Sequence, residues 1–369
     1  MDFRRSLQIF SLLIAAFSLL AISAPPAKAE KKIGLSLPLT GTAEVLARQY
    51  LIGAKLAISE IERTSGEKIN LVIVDDGCDT ELANLAASDL IKSGVDLVTG
   101  LLCNEAATVV ASAYATTSIP ILVAGARSER LIKDRVRESW NIWRLSPGDS
   151  DASLFAGKIF GDAWAGKAYA IVDDGTVYGR NLADAFRAVM EEKGLPSQFQ
   201  DNFRPTQSTQ ARLIRRLRRA GITHVFVGAS AEDVAMIANN ANELNIDLEI
   251  AGGEILSIMP YLDQDILPPP GLQAIVEKSS VDLQLSEEMK ILLEDNKIQP
   301  EISVLAGFQS IQVAFGAFAD SPEKTTSNLA EKTFETLLGP VSFSSDGRNT
   351  AQQYDLYVWT GSDFKQVTQ

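Results

Sequence analysis

Histidine is almost missing from this 369-residue chain: His224 is the only one, and cysteine is limited to Cys78 and Cys103. A metal site needs clustered nitrogen and sulfur ligands, and one imidazole with two distant thiols offers no useful spacing. A Ser-His-Asp triad would need His224 in a cleft, yet it begins an expected strand, where packing or hydrogen bonding is its role. Neither glycine-rich phosphate motif follows the first expected strand, since Leu37-Pro-Leu-Thr-Gly41 has too few glycines. No catalytic residue, no metal and no cofactor is therefore expected. Basic residues number 34 against 47 acidic ones, a net charge of −13, so bulk electrostatics disfavour nucleic acid and anionic lipid. Past residue 29, no stretch approaches the roughly 20 apolar residues of a membrane span.

The amino end does carry an apolar run. Arg4 and Arg5 precede Ile9 to Ile22, broken only by serines, and Ala27-Lys-Ala29 places small residues before Glu30. This is the three-part pattern of a secretion signal cleaved near Ala29. Glu30, not cysteine, stands directly after the cleavage point, so a lipid anchor is not expected. Removing the segment takes the charge from −13 to about −15, which suits a dispersed, exported protein. About 340 remaining residues exceed one hydrophobic core and suit two domains.

Export gives the two cysteines a meaning. Each follows an apolar run, in Val74-Asp-Asp-Gly-Cys78-Asp79 and Gly100-Leu-Leu-Cys103-Asn104. Two cysteines at the carboxyl ends of neighbouring strands, in an oxidising compartment, read as one structural disulfide. Closing a loop of about 25 residues is worth about 3 kcal/mol in the chain-entropy description.

Beyond Lys31 the chain alternates β-rich runs with helical patterns, the signature of parallel α/β units. Strands are expected over 32–38, 69–74, 95–101 and 119–123, with helices over 44–62, 82–93 and 104–116. After Leu145-Ser-Pro-Gly148 the pattern restarts, with strands at 168–172, 198–203, 223–227 and 248–251. Near-continuous Val/Ile/Leu strands imply sheets covered on both faces. The tail adds a strand at 274–278, a very apolar helix over 302–318 and a hairpin over 355–367. So apolar a helix belongs in a core, and the first half has the incomplete one. The chain is expected to cross between halves near 145, 276 and 350. The fold class is α/β, two Rossmann-like doubly wound lobes joined by a multi-strand hinge. Lobe 1 would take 30–145 and about 277–350, lobe 2 146–276 and about 351–369.

Several segments carry a resemblance: Leu37-Pro-Leu-Thr-Gly41 with Gly53-Ala54, Asp75-Asp-Gly-Cys78-Asp79 with Leu102-Cys103, Val172-Asp-Asp174 with Tyr178-Gly179, and Gly252-Gly-Glu254. In this order and spacing they resemble the periplasmic leucine/isoleucine/valine-binding protein family, the type I solute-binding proteins of ABC transporters. That resemblance implies a ligand held in the cleft between lobes and delivered to a membrane permease. It implies that Glu254 holds an α-ammonium, that Tyr178 lines the pocket from the second lobe, and that Asn104 stands where a hydroxyl meets the ligand carboxylate. Asn104 is equally suited to cap its helix.

The loop after the fourth strand departs from the family. It reads Ala124-Gly-Ala-Arg-Ser128, where small residues and a threonine are implied. Gly125 and Ala126 still permit close backbone approach. Arg127 could pair bidentately with a ligand carboxylate, or swing to neutralise Glu129 or an acid on the other lobe. Leu46 and Ser230 replace the larger aromatic walls of a leucine pocket, so the guest need not be leucine. The cleft site has independent physical support, because helix N-termini at strand carboxyl ends favour a carboxylate.

Other features read as structure. Arg212, Arg215, Arg216, Arg218 and Arg219 flank an apolar stripe and form its solvated face. Asp75/Asp76 and Asp173/Asp174 follow strands and suit turn capping. The expected function is a monomeric periplasmic carrier of a small amino acid, branched-chain or related, with an ABC permease as partner. The alternatives are a ligand-sensing module for a receptor or regulator, and a carrier of another carboxylate or amide.

Overall fold

The computed structural model describes residues 31–278, 285–351 and 354–367; the expected export segment lies outside the described residues. The chain opens with β1 (Lys31–Leu37), α1 (Glu44–Ser65), β2 (Ile69–Asp75), α2 (Thr80–Ser93), β3 (Leu97–Gly100), α3 (Asn104–Tyr114), β4 (Ile121–Val123), α4 (Glu129–Arg137) and β5 (Ile142–Arg144). These strands form one parallel sheet in the order β2-β1-β3-β4-β5. Their side chains explain the arrangement: β1, β3, β4 and β5 are buried almost throughout, as a sheet covered on both faces requires.

A second unit follows: α5 (Asp151–Ala163), β6 (Tyr169–Asp173), α6 (Val177–Glu192), β7 (Phe199–Asn202), α7 (Ala211–Arg219), β8 (His224–Gly228), α8 (Ala231–Glu243), β9 (Glu249–Gly252), a 3-10 helix Glu254–Tyr261 and β10 (Gln273–Glu277). The tail supplies α9 (Glu287–Asn296), α10 (Ile302–Ala317), α11 (Pro322–Glu331), a hairpin of β11 (Phe334–Thr336) and β12 (Gly339–Val341), then β13 (Tyr354–Trp359) and β14 (Phe364–Gln366). The second sheet runs β14-β13-β10-β9-β8-β6-β7, parallel from β7 to β10 and closed by antiparallel β13 and β14. Strand order reverses beside β1 in one sheet and beside β6 in the other, and such points open a crevice at the strand carboxyl ends.

The tail is divided between the two cores. Phe308, Ile311 and Ala314 of α10 join Ile33 and Leu35 in the first core, whereas Tyr357 and Trp359 join Val225 and Val227 in the second. Helices α1 and α10 cross on glycine: a Cβ on Gly53 would collide with the Val304 carbonyl, and one on Gly307 with the Tyr50 carbonyl. That contact brings the N-terminal ends of both helices to the carboxyl edge of the first sheet.

Cys78 and Cys103 form the disulfide, with Cα atoms 5.4 Å apart. The acid pairs cap turns. Asp76 accepts from Ser36 Oγ and the Cys78 amide, Asp75 from Leu39, Thr40 and Gly77, and Asp174 from Thr176. His224 packs against Trp164 and lies beside Thr223 and Glu249. Among the described residues there is no metal-binding group of His, Cys, Asp or Glu, and no single helix is long and apolar enough to cross a membrane.

Candidate functional site

The loops at the two crevices meet at Arg127. Its backbone sits in the turn between β4 and α4, and three devices fix that turn. Asn104 Oδ1 accepts from the Arg127 and Ser128 amides at 3.0 and 2.9 Å. Arg144, 1% exposed, donates from below to the Arg127 and Ser128 carbonyls. The same guanidinium pairs with Glu129 at 3.1 Å, and Glu129 is pulled further by Arg348 at 2.5 Å. Burial works against the Glu129 charge, but Arg348 and Arg144 overcome it and hold the carboxyl below its ordinary pKa.

From this anchored turn the Arg127 side chain crosses to the second lobe. It reaches Tyr354 Oη at 2.5 Å, Glu277 at 3.3 Å and Glu254 at 3.4 Å. Tyr354 Oη also lies 3.4 Å from Glu254. Burial disfavours the guanidinium charge, but Tyr354, Glu254 and Glu277 outweigh it and raise its pKa. Glu254 begins the 3-10 helix after β9. Tyr178, in the first turn of α6, is 41% exposed, and burial of its hydroxyl followed by the Glu254 charge pushes it up to about 12.

The structure bears on three of these expectations. Asn104 does not cap α3; Cys103 holds the cap position without a side-chain bond, and the Asn104 carboxamide braces the Arg127 turn instead. Of the acids open to it, Arg127 takes Glu254 and Glu277 across the crevice rather than Glu129, which Arg144 and Arg348 hold. Ala126 is 2% exposed, its amide bonded to Leu101 and its carbonyl to Ser146, so it supports the loop from within. Gly125 is different: among the described residues its amide has no acceptor. Neither glycine before Glu254 has positive φ, and a Cβ there would strike the Leu256 or Leu182 side chain. Ser230 caps α8 through the Asp233 amide.

The Arg127 cation thus meets two acids and a phenol that come from the second sheet and its loops. Tyr354, Glu277 and Arg144 were not expected. The partners of Tyr354 and Glu277 lie 100 or more residues away in sequence, and nothing local distinguishes Arg144 at the end of a short strand.

Arg127 also lines a cavity of about 550 Å³, with Leu46, Leu102, Ile302 and Leu305 among its apolar residues and Glu277, Lys278, Gln309 and Asp355 among its polar ones.

A family profile of periplasmic binding proteins matches residues 30–276. The Leu/Ile/Val-binding protein BraC3 of Rhizobium johnstonii is 25% identical over 348 residues, covering 91% of this chain and 93% of that one. An ABC-transporter substrate-binding protein of Desulfitobacterium hafniense, solved in complex with Leu, is 18% identical with a TM-score of 0.67, covering 92% and 100%. A solute-binding protein of an ABC transporter from R. palustris, in complex with benzoate, is 19% identical with a TM-score of 0.59, covering 92% and 95%. The solved structures share the fold.

Proposed function

Since this chain belongs to the periplasmic binding protein family, we propose that it is the extracytoplasmic solute-binding protein of an ABC importer, capturing a small amino acid between its lobes. The observation that carries this reading is the opposed pair Arg127 and Glu254, 3.4 Å apart on different lobes. An amino-acid zwitterion is the complement of that pair. Its carboxylate takes the guanidinium, the Gly125 amide and the start of α3, where helix amides favour an anion. Its ammonium takes Glu254, with Tyr178 alongside. Residues 30–145 with about 277–350, and 146–276 with about 351–369, act as the two jaws.

Because the two charges come from different jaws, the guest binds the closed form better and shifts the population toward it. A membrane permease then reads the closed shape. The carrier works as a monomer after export and cleavage near Ala29. Titration calorimetry with an amino-acid panel, on wild type and Glu254→Ala, tests the site. Loss of binding in the variant is expected; wild-type affinity would remove Glu254 from the pocket.

The Arg127–Glu254 contact also favours a second reading. A guest carrying only a carboxylate could take Arg127 while Glu254 stays neutralised by the same cation. Comparing each amino acid with its deaminated acid separates the two.

A further inference from the structure

Two segments pass between the two units beside the Arg127 turn. One runs from β5 to α5 through Gly148; the other runs from Phe343, in the first core, to β13 through Arg348. They are tied to each other. The Arg144 amide donates to the Gly347 carbonyl at 2.8 Å, the Asn349 amide to the Arg144 carbonyl at 3.0 Å, and the Asn349 carboxamide to the Leu145 carbonyl at 3.0 Å. Both segments also press on one ion pair. A Cβ on Gly148 would strike Glu129 Oε1 and Arg144 Nη2, so the glycine lets the first segment lie against that pair. From the second segment Arg348 reaches the other Glu129 oxygen at 2.5 Å, and Asp346 holds the same guanidinium at 2.9 Å.

Helix α4 begins at Glu129, two residues after Arg127. One oxygen of its carboxylate is fixed by Arg144 and the other by Arg348. Surface ion pairs contribute little stability, but a carboxylate only 17% exposed and gripped by two guanidinium groups is fixed in place. We propose that Glu129 and Arg348 are positioning residues for the guest site. Acting through Arg127 rather than on the guest, they set where the Arg127 turn stands relative to the two connecting segments, so that movement of those segments is passed to the Arg127 cation. Such coupling travels through contiguous ion-paired groups, and here the path has one link on each side of Glu129. For its effect on the guest the inference rests on the amino-acid reading; for its effect on the turn it rests on the geometry alone.

Arg348→Met and Arg348→Lys test it in the full chain. The side chain is 27% exposed, so neither replacement enters a packed core, and circular dichroism checks the fold. Hydrogen–deuterium exchange reads the turn. The Arg127 and Ser128 amides, which donate to Asn104 Oδ1, should exchange about tenfold faster in Arg348→Met and close to the wild-type rate in Arg348→Lys. Calorimetric titration reads the guest, with the amino-acid panel and the carboxamide of its tightest-binding member. Wild type should prefer the acid to the carboxamide by about 10- to 100-fold, as a charge-assisted bond to Arg127 implies. Arg348→Met should cut that ratio by about tenfold, and Arg348→Lys should restore most of it. Unmoved exchange at the two amides in Arg348→Met would overturn the inference whatever the ratio does, even if Tm falls. Faster exchange with an unmoved ratio would overturn the positioning role and keep the amino-acid reading. Faster exchange in a protein that binds no amino acid would uphold the tie to the turn and overturn the amino-acid reading.

Discussion

Replacing Arg127 with Met removes the cation that joins the two lobes while keeping most of the aliphatic stem. Three contacts disappear: Glu277 at 3.3 Å, Glu254 at 3.4 Å and Tyr354 at 2.5 Å. Two carboxylates are then left near one another without that cation. Breaking a fully buried pair costs about 3–5 kcal/mol and a surface pair at most about 1. The Arg127, Glu254 and Glu277 side chains are 32%, 39% and 20% exposed, between those limits. The loss of stability should therefore be about 2 kcal/mol, or about 4 °C in Tm by the usual size scaling. The turn itself should survive, because Asn104 and Arg144 hold its backbone and not its side chain. Guest affinity should fall further, by about 10- to 100-fold, because a charge-assisted hydrogen bond to the carboxylate is worth about 1.5–3 kcal/mol. Differential scanning fluorimetry and calorimetric titration read the two effects. An unchanged Tm with undiminished binding would refute the bridging role of Arg127.

Other consequences can be checked in the same preparations. Arg144→Met leaves Glu129 without a buried partner and should cost about 3 kcal/mol in urea unfolding; a loss under about 1 kcal/mol would show that Arg348 suffices. Replacing Cys78 and Cys103 together by Ser should lower stability by about 3 kcal/mol in the same assay, and no change would mean the bridge constrains nothing. Burial raises Tyr50, which is fully buried, to about 12 from 10.0. The unfolded chain gives up that proton first, so its contribution is complete below pH 10 and lost as pH rises toward 12. Absorbance at alkaline pH should show a late-ionising tyrosine, absent in Tyr50→Phe, whose titration merges with unfolding; an unchanged titration curve in that variant would contradict the burial.

Much of the architecture could be read from residues alone, because parallel strands buried on both faces leave near-continuous Val and Ile runs such as Ala170-Ile-Val172. The placing of α10 in the first core followed from the apolarity of residues 302–318. Elements with short or charged sequences escaped. Glu129–Arg137 is short, buries only Leu131, Ile132 and Asp134, and went unassigned despite its Ser128 cap, and β5 has three residues. At the crevice, Glu254 and Tyr178 stood out through the family resemblance, and Arg127 as a departure from it. What each side chain does was hidden. Arg127 meets groups 127, 150 and 227 residues away, and no local pattern encodes such a pairing. Asn104 shows the same limit: its helix-start position suggested a cap, yet its oxygen braces the neighbouring loop.

Small-angle scattering of wild type and Glu254→Ala, titrated with an amino-acid library, tests most directly whether a zwitterion closes the lobes between Arg127 and Glu254. Compaction of wild type by at least one amino acid, absent in the variant, is the expected result. Compaction by none of them, or equal compaction of both proteins, would contradict it.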